Sequence, residues 1–548
     1  MILSFGTLLS DYRSSFLKLT TLGFAQAAGH IATAFVVQQI FDSFLAGQNQ
    51  KPALELPTYA VILVIVALLS GAFSFLERTW SESLGQVIVH DLRIKMFRHL
   101  TKVYPRVMEQ KNKGGLHLRL VNDLTAVRQW VTLGLSRILV SGISIVLTIS
   151  ALAYINLMLA GFVFFFVAAG ALAAFFIGPC LKIRVSNLRK RRARLANNVG
   201  EKIDALQTVQ AFGREKSEIK KMTRLSQALV RSALSRAQMI GFMRGGIIAL
   251  TGFATMSILI TGSYLVGIGQ TTPGVVAAAM SIVGFLIPPL RGFGRTYEYW
   301  VSYNVAAEKI EQTLSLERAK LKGKGRSKAQ DLDGKIEYKN IRVAGVFDSF
   351  SAKALPGEKI VIVGPNGAGK TTLFSVLLGI IKPDDGELLI DGRDLKKWNI
   401  RSLRSHIGIV SSDMPLIRGS LRKNILYRHK RVNDRALQNA MVLSGLSDRL
   451  DQFPEGLDTK IAERGKGISS GERQTLALTR ALLGMPDILL LDEAETNLDE
   501  EAKEIICKII STYPGTVLII THDPSLKKLA DAVWELPQKT DLQRKVKA

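Results

Sequence analysis

Gly364-Pro365-Asn366-Gly367-Ala368-Gly369-Lys370-Thr371 is the stretch that decides the fold of the second half of this chain. It fills every required position of the pattern G-x-x-x-x-G-K-[ST], in which backbone N–H groups and a helix N-terminus surround phosphates. Residues 359–363 before it are typical of a buried strand, and residues 372–378 after it of an amphipathic helix. The sequence therefore predicts a nucleotide site that runs from Gly364 to Thr372. We expect Lys370 on the β- and γ-phosphates and the Thr371 hydroxyl on Mg²⁺.

Polar residues also follow two apolar runs farther along the chain. The run 488–491 leads to Asp492 and Glu493. We predict that Asp492 holds Mg²⁺ through water, and that Glu493 orients and deprotonates the attacking water. The run 516–520 lies just before His522, which we expect to contact the γ-phosphate. Together with the phosphate loop, these residues predict an α/β P-loop ATPase domain.

The apolar residues are concentrated before residue 305. Hydrophobic residues make up 47% of the 548-residue sequence, and six apolar runs lie at about 16–46, 59–75, 131–155, 157–177, 241–266 and 273–289. Each is near the ~20 residues that cross a bilayer. Core helices of a large soluble protein are the alternative, but several runs exceed that length with few charges. We predict an all-α transmembrane domain of six helices, and hence a multidomain membrane protein.

The charge of the chain is strongly positive, at +26 from 72 Lys and Arg against 46 Asp and Glu. The basic residues collect in the long links 78–128 and 182–236, whereas the links 46–57 and 267–272 are short and nearly free of them. By the positive-inside rule, the long links and both termini are cytoplasmic. No module of interleaved aromatic and basic residues is present, so we expect no nucleic-acid partner. The long links keep a helical period, which predicts helices that project well beyond the membrane.

Arg137 and the two cysteines of the chain do not identify a ligand. Arg137 lies near the cytoplasmic end of the third span, where snorkelling of its side chain explains it. Cys180 and Cys507 form no metal spacing and no disulfide framework. We expect both cysteines to be buried, unreactive thiols.

A charged, glycine-bearing tract at 320–328 marks the boundary between the two halves. We predict a transmembrane domain over residues 1–315, a linker over 316–333 and a nucleotide-binding domain over 334–548.

The order of these elements resembles that of the ATP-binding cassette (ABC) exporters of the half-transporter type. Six spans come first, followed by the phosphate loop, the segment Ile468–Glu472, the strand that ends in Asp492 and Glu493, and His522. The resemblance covers nearly the whole chain. It implies that Ile468–Glu472 is the signature motif, that Asn497–Asp499 is the D-loop and that His522 is the switch histidine. It adds these residues to the nucleotide site: Ser469, Ser470, Gly471, Glu472 and Asp499.

The same resemblance implies partners. Segments Gly114–Asp123 and Thr208–Glu215 are similar to those that dock on the ATPase domains. In the family, the signature motif of one subunit covers the ATP bound by the other. The working unit should then be a homodimer, or a heterodimer with a related half-transporter. We expect it in a lipid bilayer, a bacterial inner membrane, with ATP, Mg²⁺ and an unidentified transported substrate.

Three departures from the family pattern affect the site. Ser412 stands where the family has a glutamine that contacts Mg²⁺, so any contact from Ser412 must pass through water. Ser470 replaces the first glycine of the signature motif, and Glu472 replaces its glutamine. The aromatic residue expected to stack on adenine is missing from Asn340–Gly345, which leaves Phe347 as the available stand-in.

These observations favour an ATP-driven exporter that works by alternating access. Ser412 and Ser470 support a competing hypothesis, a hydrolysis-poor regulatory subunit of a heterodimer. Siderophore import by a protein of exporter architecture ranks lower. ATPase activity of the chain purified alone separates the first two hypotheses.

Overall fold

A computed structural model describes residues 10–45, 55–104, 107, 116, 119–316, 327–411, 414–429, 432–462, 465, 467–496 and 500–537. The chain divides into two compact units, which we call the membrane unit and the ATPase unit. The membrane unit is Met1–Thr101 with Lys111–Leu316, and the ATPase unit is Lys102–Gln110 with Glu317–Ala548. The predicted ends of the transmembrane domain at residue 315 and of the linker at residue 333 stay predictions.

The membrane unit consists of helices in the part of the chain that the structure describes. They are α1 (Arg13–Leu45), α2 (Leu56–Leu100), α3 (Leu124–Gln129), α4 (Ser136–Ile155), α5 (Leu157–Asp204), α6 (Leu206–Ala211), α7 (Glu215–Gly267) and α8 (Pro273–Leu314). One π-helical turn, Arg119–Asp123, precedes α3, and a second, Trp130–Leu135, joins α3 to α4. Arg119–Ile155 is therefore one helical segment. Six helical segments among the described residues are long and apolar enough to cross a membrane, which confirms the predicted six-helix domain.

The helices extend well past the predicted spans, as the periodicity of the long links indicated. The 53 residues of α7, for example, extend over about 80 Å at ~1.5 Å per residue, more than twice the ~30 Å of a hydrocarbon layer. The short helix α6 lies between α5 and α7 and contains residues 208–211 of the predicted docking segment Thr208–Glu215. The other docking segment, Gly114–Asp123, is described only at Leu116 and at Arg119–Asp123.

Polar contacts between apolar helices fix the packing of the membrane unit. The Asp42 carboxylate of α1 accepts a hydrogen bond of 2.8 Å from the backbone N–H of Gly274, at the start of α8. Arg236 of α7 forms an ion pair of 2.7 Å with Glu298 of α8. Each of these contacts joins two helices that are distant in sequence, and so fixes the relative register of those helices.

The π-helical turn Trp130–Leu135 was not predicted from the sequence. Its cause is visible around Gly134, where a Cβ would lie only 2.3 Å from the Trp130 ring. The missing side chain leaves room for the indole. The hydroxyl of Ser136 donates a hydrogen bond of 2.8 Å to the carbonyl of Val131, which supplies a partner within the widened turn. Glycine, tryptophan and serine at these positions together stabilise the turn.

The cysteines differ from expectation in one case. Cys180 is exposed on α5, so the prediction that both thiols are buried was wrong for this residue. On a membrane helix, a small apolar side chain can face lipid at little cost, because lipid tails are as apolar as a helix surface. Cys507 is half-buried in the ATPase unit, and burial raises the pKa of its thiol. Such a thiol is poorly reactive.

The ATPase unit contains two sheets and a short strand pair. Its strands are β1 (Ile336–Val343), β2 (Phe347–Ala354), β3 (Lys359–Val363), β4 (Asp385–Ile390), β5 (Arg393–Asp394), β6 (Ile407–Val410), β7 (Gly419–Ser420), β8 (Lys460–Ile461), β9 (Ile488–Asp492), β10 (Thr516–Ile520) and β11 (Ala532–Glu535). Its α-helices are α9 (Lys370–Leu377), α10 (Ile400–Ser405), α11 (Leu421–Ile425), α12 (Asp434–Leu443), α13 (Ser470–Leu482), α14 (Glu500–Thr512) and α15 (Pro524–Lys527). The helical membrane unit and this α/β unit confirm the predicted fold class.

The parallel sheet positions the site. Its strand order is β11-β3-β10-β9-β6, and β9 and β10 are buried at every position. Such continuously apolar strands are typical of a parallel sheet covered on both faces. The antiparallel sheet, in the order β2-β1-β4-β5, shares one hydrophobic core with the parallel sheet and α9. Because β3, β10, β9 and β6 run in parallel, the residues that follow each strand meet at one edge.

Candidate nucleotide-binding site

The phosphate loop follows β3 and leads directly into α9. Three of its glycines, Gly364, Gly367 and Gly369, have positive φ angles of 153°, 82° and 99°, which side chains disfavour. A Cβ at Gly369 would lie 2.3 Å from a methyl group of Val346. At Gly367 nothing lies within 4 Å of a Cβ. The loop thus needs glycine for its backbone at Gly367, and for both backbone and space at Gly369.

Lys370 lies at the start of α9 with only 7% of its surface exposed. Its Nζ donates a hydrogen bond of 2.7 Å to the carbonyl of Gly364 and lies 3.3 Å from Nε2 of His522. An ammonium group can only donate, so Nε2 accepts in this contact and the ring proton belongs on Nδ1. The predicted phosphate lysine and switch histidine are therefore neighbours.

Two hydroxyl groups converge on one carboxylate at the end of β9. The hydroxyl of Thr371 donates to Oδ2 of Asp492 at 3.0 Å, and that of Ser411 donates to the same oxygen at 3.1 Å. Asp492 is 7% exposed. The sequence analysis did not predict Ser411 as a site residue. The available signal was its position directly after β6, the strand that pairs with β9.

This cluster of oxygen atoms fits the magnesium ion that the sequence predicts. Mg²⁺ prefers oxygen ligands, and it is usually bound by one or two protein groups together with phosphates and water. Among the described residues, no group of three or more His, Cys, Asp and Glu side chains could hold a metal ion alone. The donor set of Thr371 and Asp492 therefore suits a metal that arrives with the nucleotide.

Glu493 has an unusual backbone. Its φ angle is +50°, a left-handed value that is uncommon outside glycine and that clusters at functional sites. The N–H of Glu493 donates 2.9 Å to the carbonyl of Ile520 on β10, and its own carbonyl accepts from Thr496 at 3.2 Å. These contacts hold a sharp turn directly after the buried strand. The side chain is exposed, beside the buried Asp492.

A second glutamate, which the sequence analysis missed, lies two residues farther on. Glu495 is 9% exposed and accepts a hydrogen bond from the hydroxyl of Thr521. That hydroxyl also accepts from the backbone N–H of Asp523 at 2.9 Å. Within the described chain, the other carboxylate oxygen of Glu495 has no hydrogen-bond partner. Glu495 thus ties the residues around His522 to the segment that follows β9.

Asp523 itself is a helix cap. Its carboxylate accepts hydrogen bonds from the Ser525 hydroxyl at 2.6 Å and from the Ser525 N–H at 2.8 Å, at the start of α15. These bonds hold the pKa of Asp523 below its usual range, the hydroxyl bond contributing most. The residue after His522 is therefore a fixed anion at neutral pH.

The predicted signature residues begin α13. Ser469 is the N-cap, and its hydroxyl accepts from the Glu472 N–H at 3.1 Å, while the Glu472 carboxylate accepts from the Ser469 N–H at 2.6 Å. This reciprocal capping box leaves Ser470 and Gly471 in the exposed first turn. Gln474 donates 2.7 Å to the carbonyl of Ala494, which connects α13 to the segment after β9. No hydrogen bond joins these capping residues to the phosphate loop among the residues described here.

Three predicted residues are not part of this geometry. Ser412 and Asp499 lie outside the described residues. Phe347 is only 4% exposed, and a Cβ at Gly369 would lie 3.1 Å from its ring. Because Phe347 packs beneath the phosphate loop in the core, it does not present a face to adenine, and the stand-in proposed from the sequence was wrong.

Comparisons with known proteins agree with both units. Residues 16–290 match the family model for the ABC transporter transmembrane region, and residues 347–496 match the model for ABC transporter. A Bacillus subtilis protein described as the uncharacterized ABC transporter ATP-binding protein YwjA is 28% identical, over 97% of this chain and 93% of that protein. The ATP-dependent lipid A-core flippase of Desulfotalea psychrophila is 24% identical over 92% of this chain and 88% of its own length.

A solved structure has the same fold. It is described as a bacterial Atm1-family ABC exporter with ATP bound. It matches with a TM-score of 0.81 and covers 97% of this chain and 96% of that chain, at 21% identity.

Proposed function

This chain belongs to the ABC transporter family, and from that membership we propose that it is a half-transporter that exports a substrate by alternating access. The chain couples an ATP-binding domain to a multi-pass membrane domain. The observation that carries the proposal is the meeting of Lys370, Thr371, Asp492 and His522 at one edge of the parallel sheet. Because six membrane helices belong to the same chain, we assign ATP hydrolysis the role of driving transport.

The residues at this edge have separate tasks in hydrolysis. Lys370 would bind the β- and γ-phosphates, and the loop N–H groups would surround them. Thr371 and Asp492 would hold Mg²⁺, which supplies positive charge to the phosphates. Glu493 would orient the attacking water and accept its proton. His522, already beside Lys370, would contact the γ-phosphate.

The signature residues support a dimeric working unit. Ser469 and Glu472 cap α13 and leave its first turn exposed, a position suited to binding an anion with backbone N–H groups. A second copy, or a related half-transporter, would bring the phosphate loop that this turn covers. Residues Ser470 and Gly471 would then touch the partner's nucleotide. In this arrangement Asp499 would belong to the nucleotide site, and Ser412 would contact Mg²⁺ through water.

We place the chain in a cell membrane, the inner membrane in a bacterium, with both termini and the ATPase unit cytoplasmic. The asymmetry of basic residues between long and short links supports that orientation. The exported substrate would enter from the cytoplasm or from the inner leaflet.

A cross-linking experiment tests both the nucleotide site and the dimer. Cys180 and Cys507 are first replaced by serine, and then N366C and S470C are introduced into the full-length protein in lipid nanodiscs. We expect a disulfide between two copies that forms faster in ATP and Mg²⁺ than without nucleotide. The matched control adds K370A, which should abolish ATP binding and the ATP dependence of the cross-link. The control K382A removes an exposed lysine outside the loop and should change neither.

The ATPase rate of the same samples completes the test. The proposal predicts Mg²⁺-dependent hydrolysis by the chain alone. Hydrolysis that requires a different half-transporter would contradict the homodimer and favour the regulatory subunit. A cross-link that forms equally well without nucleotide would contradict the placement of the signature residues over ATP.

A further inference from the structure

Arg449 lies beside the first turn of α13, the turn that carries the signature residues. A Cβ at Gly471 would lie 3.8 Å from Nη1 of Arg449, which is ordinary van der Waals contact. Each Cα–Cβ bond of an α-helix tilts toward the N-terminus of that helix. The guanidinium group therefore lies on the N-terminal side of the turn, the side to which the N–H groups of the first turn point. The sequence analysis did not predict Arg449 as a site residue.

Contacts within the ATPase unit fix the backbone around Arg449. Arg449 belongs to a 3₁₀-helical turn, Ser447–Gln452, that follows α12. Its N–H donates 3.2 Å to the carbonyl of Leu446, a residue with 1% of its surface exposed. Just before this turn, the hydroxyls of Ser444 and Thr479 share a buried hydrogen bond of 2.7 Å, which ties the segment to α13. The place of Arg449 beside the signature residues thus follows from the core.

The capping box determines which N–H groups of the turn a ligand can reach. The Ser469 hydroxyl accepts from the N–H of Glu472, and the Glu472 carboxylate accepts from the N–H of Ser469. The N–H groups of Ser470 and Gly471 have no acceptor within the helix, because the first turn of a helix offers none. Two backbone donors and the guanidinium of Arg449 therefore lie at the same end of α13.

The same turn also carries a negative charge. Glu472 stands where the signature motif of the family has a neutral glutamine, and its carboxylate is held at the turn by the bond of 2.6 Å from the Ser469 N–H. This carboxylate would repel a phosphate that approaches the turn. The positive charge of Arg449 offsets Glu472. Its planar guanidinium can also donate two parallel hydrogen bonds to a phosphate.

We propose that Arg449 binds the γ-phosphate of the ATP held by the other subunit and stabilises the negative charge on that phosphate during hydrolysis. The inference rests on the proposed function, in which the signature residues of one subunit cover that ATP. Arg449 itself forms no covalent bond. The water oxygen attacks the γ-phosphorus, the bond from this phosphorus to the oxygen of the β-phosphate breaks, and the proton of the water passes to the Glu493 beside the same ATP. A guanidinium at the γ-phosphate stabilises the charge that is spread over its oxygens.

The ATPase kinetics of R449Q, measured on the full-length protein in lipid nanodiscs, test this role. We expect kcat to fall at least ~10-fold and the KM for ATP to stay within ~3-fold, because the phosphate loop still binds the nucleotide. R449K keeps the charge but loses the paired donors, and its kcat should exceed that of R449Q by at least ~3-fold. The matched control R422Q removes an exposed arginine of α11 and should hydrolyse ATP like the wild type. A wild-type kcat in R449Q, or an equal loss in R422Q, would overturn the proposal.

A double variant separates an electrostatic role of Arg449 from a structural one. E472Q removes the negative charge, while the side-chain oxygen of glutamine can still accept from the Ser469 N–H. The kcat of R449Q/E472Q should therefore exceed that of R449Q by at least ~3-fold, since less charge opposes the phosphate. A purely structural role predicts no recovery, because E472Q restores no lost packing. If R449Q is poorly folded by its melting temperature, R449K measured against R449K/E472Q gives the same comparison.

Cross-linking tests whether Arg449 reaches the phosphate loop of the other subunit. N366C and R449C are combined after Cys180 and Cys507 are replaced by serine, and a short bismaleimide replaces the reach of the lost side chain. We expect a cross-link between two copies that forms faster in ATP and Mg²⁺ than without nucleotide. The N366C/S470C pair is the reference. If only the reference pair cross-links, the inference about Arg449 fails and the proposed function stands; if neither pair does, the proposed dimer fails as well.

Discussion

The hydroxyl of Thr521 donates a hydrogen bond to the buried carboxylate of Glu495. This contact joins the residue before His522 to the segment after Glu493, and so connects two parts of the catalytic edge that come from neighbouring strands. A shift of either segment would move both functional side chains.

We therefore predict that Glu495 positions His522. E495A leaves the proton of the Thr521 hydroxyl without an acceptor and should cost about 1–3 kcal/mol in the free energy of unfolding. The ATPase kcat should fall by roughly 3- to 10-fold with a nearly unchanged KM for ATP, because Glu495 does not touch the phosphate loop. E495Q keeps an acceptor and should recover most of the rate. The control is E500A, at an exposed position of α14; an equal kcat loss there would contradict the role of Glu495.

Glu493 should be the general base. E493Q keeps the size and the left-handed backbone but cannot accept a proton, so turnover should fall by at least ~10². Binding of a fluorescent ATP analogue should remain within about twofold of wild type, since Lys370 and Thr371 are unchanged. Near wild-type hydrolysis in E493Q would assign the base to another residue.

Ser411 should support the magnesium site. S411A removes the donor that lies 3.1 Å from Asp492, while Thr371 still donates to the same oxygen. We expect the Mg²⁺ concentration for half-maximal ATPase activity to rise by about 3- to 10-fold, equivalent to roughly 1 kcal/mol for one hydrogen bond. S511A removes an exposed hydroxyl of α14, which donates to the carbonyl of Lys508, and should leave the Mg²⁺ dependence unchanged. A rise confined to the KM for ATP at saturating Mg²⁺ would place Ser411 on the nucleotide instead.

Two glycines of the phosphate loop separate backbone strain from crowding. Both Gly367 and Gly369 have left-handed φ angles, so alanine at either position costs about 1–2 kcal/mol. Only at Gly369 would the new methyl group also meet Val346, at 2.3 Å. G369A should weaken ATP binding at least ~10-fold more than G367A, measured by isothermal titration calorimetry. Equal losses would mean that the loop has room at both positions.

The parts of the fold that depend on local pattern were predictable. Strands β3, β9 and β10 lie where apolar runs indicated, and the membrane helices follow the apolar segments. The phosphate-loop residues and Asp492 carry their function in a short motif, so their meeting follows once the strands are parallel.

Other features depend on contacts between distant segments. Ser411 approaches Asp492 only because β6 pairs with β9, and Glu495 meets Thr521 only because β9 pairs with β10. Phe347 was misjudged for the same reason, since its aromatic type does not reveal that it packs beneath Gly369. Arg137 of α4, Arg244 of α7 and Arg295 of α8 line one cavity of about 430 Å³ in the membrane unit. Their convergence depends on the register of three helices, which no single-sequence pattern contains.

The π-helical turn Trp130–Leu135 sets the direction in which the Arg137 side chain points, because that direction depends on the number of residues before Arg137 in the helical segment. A π turn holds one residue more than an α turn, and each residue of an α-helix advances the direction of its side chain by about 100°. Deleting one residue within the turn would restore a regular helix and swing Arg137 away from the cavity, with every amino acid of α4 unchanged. The extra residue thus acts as an insertion that sets the rotational phase of the helix, so that a change in length there is more damaging than a change in side chain.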